Sequence, residues 1–226
     1  MKLLALDTAT DACSAAVLVD DEVIERYELA PRRHAELILP MLDALLADAG
    51  LSIRQLDGLA FGRGPGAFTG LRIATGVAQG IAFAADLPIA PISTLAAMAH
   101  NACYERGVQQ VAVALDARMS EIYWGAYMAT TEGDMVLLDR ERVCRPADAP
   151  PLTTGDWFGA GSGWTAYHDI LVQRLPTVSD WWGECYPRAG DIALLASLVW
   201  QRGQMVPAEQ ALPIYLRDEV AHKPPV

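Results

Sequence analysis

The sequence predicts an α/β protein built from two related halves, and three observations carry that expectation. Two apolar segments, Lys2 to Leu6 and Val108 to Leu115, each end at an aspartate (Asp7, Asp116) and are followed by a second strand-like segment. Strand-like and helix-like segments then alternate, as they do where helices cover a sheet. Finally, the glycine-rich stretch Gly62-Arg63-Gly64-Pro65-Gly66 leads into a segment, Phe68 to Ala85, whose one ionised side chain is Arg72. A helix so apolar around its circumference has to be covered on more than one side.

Taken in order, Lys2 to Leu6 is a first strand, and Cys13 to Val19 and Glu22 to Glu28 are two more around the Asp20-Asp21 turn. His34 to Ala49 has helical spacing, and its apolar positions cover roughly 200°, well over the ~100° stripe of a one-sided surface helix. Pro40 inside it predicts a kink or an early break, and Gly50 a C-cap. Leu56 to Phe61 is a short strand before the glycine-rich turn. In the helix that follows, Gly66, Gly70 and Ala74 fall four apart, as do Gly76, Gly80 and Ala84. Such rows let another backbone approach closely, because no side chain stands between. Leu87 to Pro91 is a strand, and Ser93 caps a helix from Thr94 to Tyr104. A boundary near Gly107 divides the chain into residues 1–106, which carry these helices, and residues 107–226. In the second part Val108 to Leu115, Ile122 to Ala129 and Met135 to Val143 are strands. Pro146 to Pro151 is an irregular connection. Asp156 to Trp164 holds a strand and a Gly-rich turn, Asp191 to Arg202 is a helix, and the tail from Leu212 is punctuated by prolines.

Bulk properties narrow the function. With 226 residues, 52% of them hydrophobic, the chain is not mainly disordered. A formal charge of −11 argues against a large nucleic-acid-binding face, which needs clustered Lys and Arg. The short basic groups at Arg32-Arg33 and Arg140 to Arg145 read as solvated surface. Four apolar residues between Lys2 and Asp7 are too few for a secretory signal core, and Ile73 to Ala85 is too short to span a bilayer. A cytoplasmic protein without membrane association is expected. Cys13, Cys103, Cys144 and Cys185 form no Cys-x-x-Cys pair and read as reduced, mostly buried thiols.

Chemistry-bearing residues are few. Asp7 and Asp116 each end a strand, where a carboxylate often meets metal or phosphate, and Thr8 adds a hydroxyl; a turn-capping Asp is the commoner explanation. Gly64-Pro65-Gly66 before a helix could cradle an anion, but it lacks the Lys and Ser/Thr of a P-loop. A tight turn that permits close packing is the favoured reading. The turn Gly159 to Gly163, with Gly161 at its centre, could approach an adenine or ribose, and an ordinary strand-to-helix turn would look the same. His34, His100, His168 and His222 form no His-x-x-x-His pair, and no Gly-x-Ser-x-Gly elbow is present.

At this point the chain resembles the TsaB (YeaZ) family. The motifs are Leu4-Ala5-Leu6-Asp7-Thr8-Ala9-Thr10, the block from Gly64-Pro65-Gly66 through Phe68-Thr69-Gly70-Leu71-Arg72 to Gly76, Asp116-Ala117-Arg118 with Glu121-Ile122-Tyr123, and Pro213-x-Tyr215-Leu216-Arg217. The resemblance runs over essentially the whole chain. It implies an actin-like ATPase (ASKHA) fold of two related domains, each a mixed sheet flanked by helices, with the second domain shortened. It also implies a non-catalytic subunit of the complex that forms threonylcarbamoyladenosine in tRNA. Such a subunit pairs with the catalytic paralogue TsaD through helices of the first domain, is joined by the ATPase TsaE, and meets tRNA only indirectly. The catalytic relative carries a His-x-x-x-His metal motif where this chain has Ser93-Thr94-Leu95-Ala96-Ala97-Met98-Ala99, so no catalytic residue and no metal are expected. No cofactor is expected in the lone chain, ATP or ADP being considered only for the complex.

Asp7, Thr8, Asp116 and Gly161 are the nucleotide-binding candidates. The partner surface is expected at Leu39, Leu42 and Leu46 of the first helix, and at Gly70, Leu71, Ala74, Thr75, Gly76, Ala78 and Gly80 of the second. Without the partner this surface is expected to make a homodimer, since large exposed apolar patches are rare on monomers. The competing reading is a stand-alone actin-fold ATPase or small-molecule kinase that uses Asp7, Asp116 and the 159–163 turn.

Overall fold

The computed structural model describes residues 1–217; residues 218–226, His222 among them, lie outside that range. Strands β1 (Lys2–Asp7), β2 (Ala12–Val19) and β3 (Glu22–Leu29) form an antiparallel meander, with β1 and β2 in register from Lys2 opposite Val19 to Asp7 opposite Ser14. Beyond β1, strands β4 (Gly58–Gly62) and β5 (Ile89–Ile92) add in parallel, giving the order β3-β2-β1-β4-β5. The second sheet repeats this plan. Strands β6 (Gln110–Arg118), β7 (Glu121–Ala129) and β8 (Met135–Leu137) are antiparallel, and β10 (Trp157–Ala160) and β11 (Val178–Trp182) add in parallel on the far side of β6. A further short strand, β9 (Arg142–Cys144), also pairs with β7. The segment expected as one strand from Met135 to Val143 is therefore two. Its middle is polar, and Glu141 turns inward to meet Ser93 and Tyr127 instead of continuing the ladder.

Helices α1 (His34–Asp48), α2 (Phe68–Ala85) and α3 (Thr94–Arg106) belong to the first half, and α4 (Ser162–Ala166), α5 (His168–Arg174) and α6 (Ala189–Gln201) to the second. Where α1 joins the third and fourth strands of the first half, the second half has only a turn of 3₁₀ helix, Pro146–Asp148; with 120 residues against 106 it is nonetheless not the shorter half, contrary to expectation. Pro40 does not break α1. It lies on the exposed face, where the carbonyl that loses its donor can be hydrated. Ser93 caps α3 by accepting from the Ala96 N–H at 3.2 Å.

Period-two alternation sorts the strands into layers. Leu4 and Leu6 of β1 face the core shared with α1 and α2, while Leu3 and Ala5 face the core shared with α3 and α6. In β6, Ala112 and Ala114 face α4 and α5, while Val111 and Val113 face the central core. The result is five layers, helices-sheet-helices-sheet-helices. The two central helices are exchanged: α3, from the first half, lies on β6 and β7, whereas α6, from the second half, lies on β1, β2, β4 and β5. A division at residues 106 and 107 falls between the sheets, yet each side of it lends its last helix to the other. No described helix is long and apolar enough to cross a membrane.

Candidate functional site

Two regions could carry function: the cleft between the sheets and the outer face of α1 and α2. Behind the wall of the first, β1 delivers Asp7 into full burial, where Oδ1 accepts from the Ala9 N–H at 2.9 Å and Oδ2 has no partner. A Cβ on Gly62 would overlap that Oδ2, so the glycine is what makes room for the carboxylate. Burial pushes the Asp7 carboxyl up to about 7, with the Ala9 N–H acting the other way. Thr8 is also fully buried, and its hydroxyl donates to the Gly70 carbonyl at 2.7 Å.

The glycine-rich turn is a packing device. Ala67 N–H donates to the Ala9 carbonyl at 2.7 Å, and Cβ atoms on Gly66 and Gly70 would overlap the backbone at Ala9 and Thr8. The start of α2 is thus pressed onto the turn after β1, a distance only glycine permits.

The cleft itself, about 480 Å³, lies between this turn and the β6–β7 hairpin, with Thr10, Asp11, Phe68, Asp116, Arg118 and Tyr215 on its wall. Of the four nucleotide candidates only Asp116 lines it. Asp7 and Thr8 are sealed behind the first turn. Gly161, at φ +104°, is occupied in turning the chain against β6, where a Cβ would meet the Ala114 carbonyl and Met98. Asp116 is committed locally: its carboxylate accepts from the Arg118 N–H at 2.9 Å and from the Tyr167 hydroxyl at 3.2 Å. Its own N–H donates to the Ser162 hydroxyl at 3.1 Å.

The chain's last described segment crosses the mouth of this cleft. Ile214 N–H donates to the Arg63 carbonyl at 2.7 Å, and the Tyr215 ring packs on Phe68 at 5.3 Å, with the Arg72 guanidinium over the Phe68 ring at 4.0 Å. Arg217 then donates to the Ala117 carbonyl at 3.1 Å and pairs with Glu121 at 2.5 Å. It thereby holds a hairpin in which Arg118, Met119 and Ser120 all take positive φ, a conformation non-glycine residues rarely share in succession.

The outer face of α1 and α2 differs from expectation in which residues it presents. Leu42 and Leu46 on α1, and Gly70, Leu71, Ala74, Thr75 and Ala78 on α2, are buried in this chain's own core and are not free for a partner. The physical reason is that α2 uses one of its two small-residue rows, Gly70 and Ala74 continued by Ala78, to lie close on the first sheet. The other row, Gly76, Gly80 and Ala84, points outward, and at Gly76 and Gly80 an added Cβ would meet nothing within 4 Å. Leu39 is 51% exposed, and Phe83, which the sequence reading missed, is 84% exposed. Ile73 and Val77 are half-buried beside them. Its position after the row Gly76-Gly80 could have marked Phe83 as outward.

Groups suited to metal or thiol chemistry are scarce. Among the described residues no three His, Cys, Asp or Glu side chains gather. At the start of α3, Thr94, Leu95, Ala97, Met98 and Ala99 are buried. All four cysteines are free thiols, and burial pushes Cys13, Cys103 and Cys144 up to about 11 and Cys185 higher still.

Comparison with known proteins gives a consistent picture. The family description "TsaD: tRNA N6-adenosine threonylcarbamoyltransferase" matches residues 17–152. The chain is 40% identical to the tRNA threonylcarbamoyladenosine biosynthesis protein TsaB of Escherichia coli, covering 99% of this chain and 97% of that one. It is 42% identical to the TsaB of Haemophilus influenzae, over 99% and 96%. Among solved structures, YeaZ from Pseudomonas aeruginosa superposes with a TM-score of 0.89 at 47% identity, covering 95% of this chain and 99% of that chain.

Proposed function

This chain belongs to the TsaB family and has its actin-like fold of two mixed sheets flanked by helices, and we propose that it is the non-catalytic subunit of a complex forming threonylcarbamoyladenosine in tRNA. It pairs with a TsaD-like catalytic paralogue, is joined by a TsaE-like ATPase, meets tRNA only through them, and works in the cytoplasm. The observation that carries this reading is the outward strip of α1 and α2. Leu39, Gly76, Gly80, Ala84 and Phe83 offer an uncharged, close-packing surface next to the half-buried Ile73 and Val77. Small residues admit a second helix's backbone, and Phe83 supplies an anchor of the kind that dominates interface energetics. The same strip supports self-association when the paralogue is absent. We propose residues 1–106 as the half that presents it and residues 107–226 as the half that completes the cleft.

The cleft gives the competing reading, a stand-alone ATPase or kinase, less support. Asp7 and Thr8 do not reach it, Asp116 is engaged with Arg118 and Tyr167, and Tyr215 and Arg217 lie across its mouth. The discriminating experiment is Gly76→Arg. Its site is open, so the variant should fold with an unchanged melting temperature, while co-purification with the TsaD-like paralogue and tRNA modification in a reconstituted system are both lost. Retained association would sink the docking role of α2. Turnover of Mg-ATP by the pure chain would favour the enzyme instead.

A further inference from the structure

A second, smaller cavity of about 200 Å³ lies at the junction of the two halves, away from both regions above. Its polar wall is Arg63, from the turn after β4; Ser93, at the head of α3; Tyr127, on β7; Glu141, from the loop before β9; and Asp134, just before β8, whose carboxylate is taken up by Arg202 at 2.5 Å. Leu195 and Val199 of α6 supply an apolar wall. Glu141 accepts from both the Ser93 and Tyr127 hydroxyls, which fixes the carboxylate at the cavity edge. Among the described residues neither Glu141 nor Arg63 forms an ion pair. The Arg63 Nε is buried with no hydrogen-bond partner, and its backbone is pinned on both sides by Ile92 and Ile214. The charge of Arg63 reaches Tyr127, where it acts against the burial that raises that phenol.

One cavity thus presents a guanidinium on a pinned backbone and a carboxylate fixed by two hydroxyls, with no ion pair between them and with Asp134 already taken up by Arg202. Both residues are half-buried, with the Arg63 Nε sealed from water, and a ligand that brings both complementary charges would pair with each of them. The volume falls below the ~300–1,000 Å³ of sites for drug-sized molecules, so the ligand is small. We propose that this cavity binds a small zwitterion of the α-amino-acid class, its ammonium on Glu141, its carboxylate on Arg63 and its side chain against Leu195 and Val199. Because the charged groups come from different halves and the apolar wall from α6, occupancy also ties the two halves together.

The test is titration calorimetry and thermal melting of the full chain with glycine, L-alanine and L-valine, and with acetate and methylammonium as single-charge controls. At least one amino acid is expected to bind one-to-one at millimolar concentration or below and to raise the melting temperature, with each control at least about tenfold weaker. Arg63→Gln and Glu141→Gln should each weaken binding by about tenfold or more. Ala96, on α3, also lines the cavity, so Ala96→Leu fills it without altering either charge; this variant should abolish binding and keeps the test decisive if a charge variant fails to fold. Acetate binding as tightly as the amino acids would reduce the cavity to an anion hole and overturn the proposal. So would the absence of binding at millimolar concentration, or full binding by a folded Glu141→Gln protein.

Discussion

Replacing Asp7 with Asn removes one ionisable group from the centre of the first sheet while keeping its shape and its acceptor for the Ala9 N–H. The carboxyl is fully buried, one oxygen has no partner, and burial raises it from its ordinary 3.8 to about 7. Below about pH 4 the folded and unfolded chains both carry the proton, and Asp7 contributes no pH dependence. Between about pH 4 and pH 7 only the folded chain retains it, so stability falls by about 1.4 kcal/mol per pH unit as pH rises. Above about pH 7 both states are ionised and the full cost, about 4 kcal/mol, is present. The Asn variant lacks this dependence. Urea unfolding of both proteins should therefore show the variant's advantage widening by about 3 kcal/mol between about pH 5 and pH 8. A difference that stays constant across that range would mean that Asp7 ionises freely in the folded protein, and the sealed-carboxylate argument would fail.

The two glycine rows of α2 predict opposite responses to the same change. Gly70→Ala drives a Cβ into the Thr8 backbone and should cost about 1–3 kcal/mol in urea unfolding, whereas Gly76→Ala, on the open face, should gain up to about 1 kcal/mol. Equal effects would remove the inward and outward assignment. Arg217→Ala should speed hydrogen exchange at the backbone amides of 117–121 with a loss of only about 1 kcal/mol in global stability, and unaltered exchange would mean that the tail does not hold that hairpin. Residues 1–106 expressed alone should show no cooperative calorimetric transition, because their first sheet lacks α6 and their α3 lacks its sheet; a sharp transition would contradict the helix exchange.

How much was legible in the sequence varied with the kind of signal. The helix Phe68–Ala85 was readable to both ends, because Gly-Pro-Gly stops the preceding strand and no proline follows until Pro88. The meander β1 to β3 was equally plain from its turn residues. Helix α5 and strand β11 went unread: one is seven residues long, and the other, Val-Ser-Asp-Trp-Trp, is held as a strand by pairing with β10 more than by its own propensity. The candidate site fared worst. Asp7 and Asp116 look alike in sequence, each at the end of an apolar strand, yet the first is sealed behind Gly62 and the second sits on the cleft wall.

Local order decided the elements of this protein. Periodicity, turn chemistry and caps act over a few residues, and they placed most strands and helices and repeated one plan in both halves. Which small-residue row of α2 meets the sheet, which half receives α6, and that Arg217 closes over the β6–β7 hairpin were decided only in three dimensions. Each depends on contacts between segments up to about a hundred and ninety residues apart, and burial there is settled by the whole packed arrangement, which no local pattern encodes.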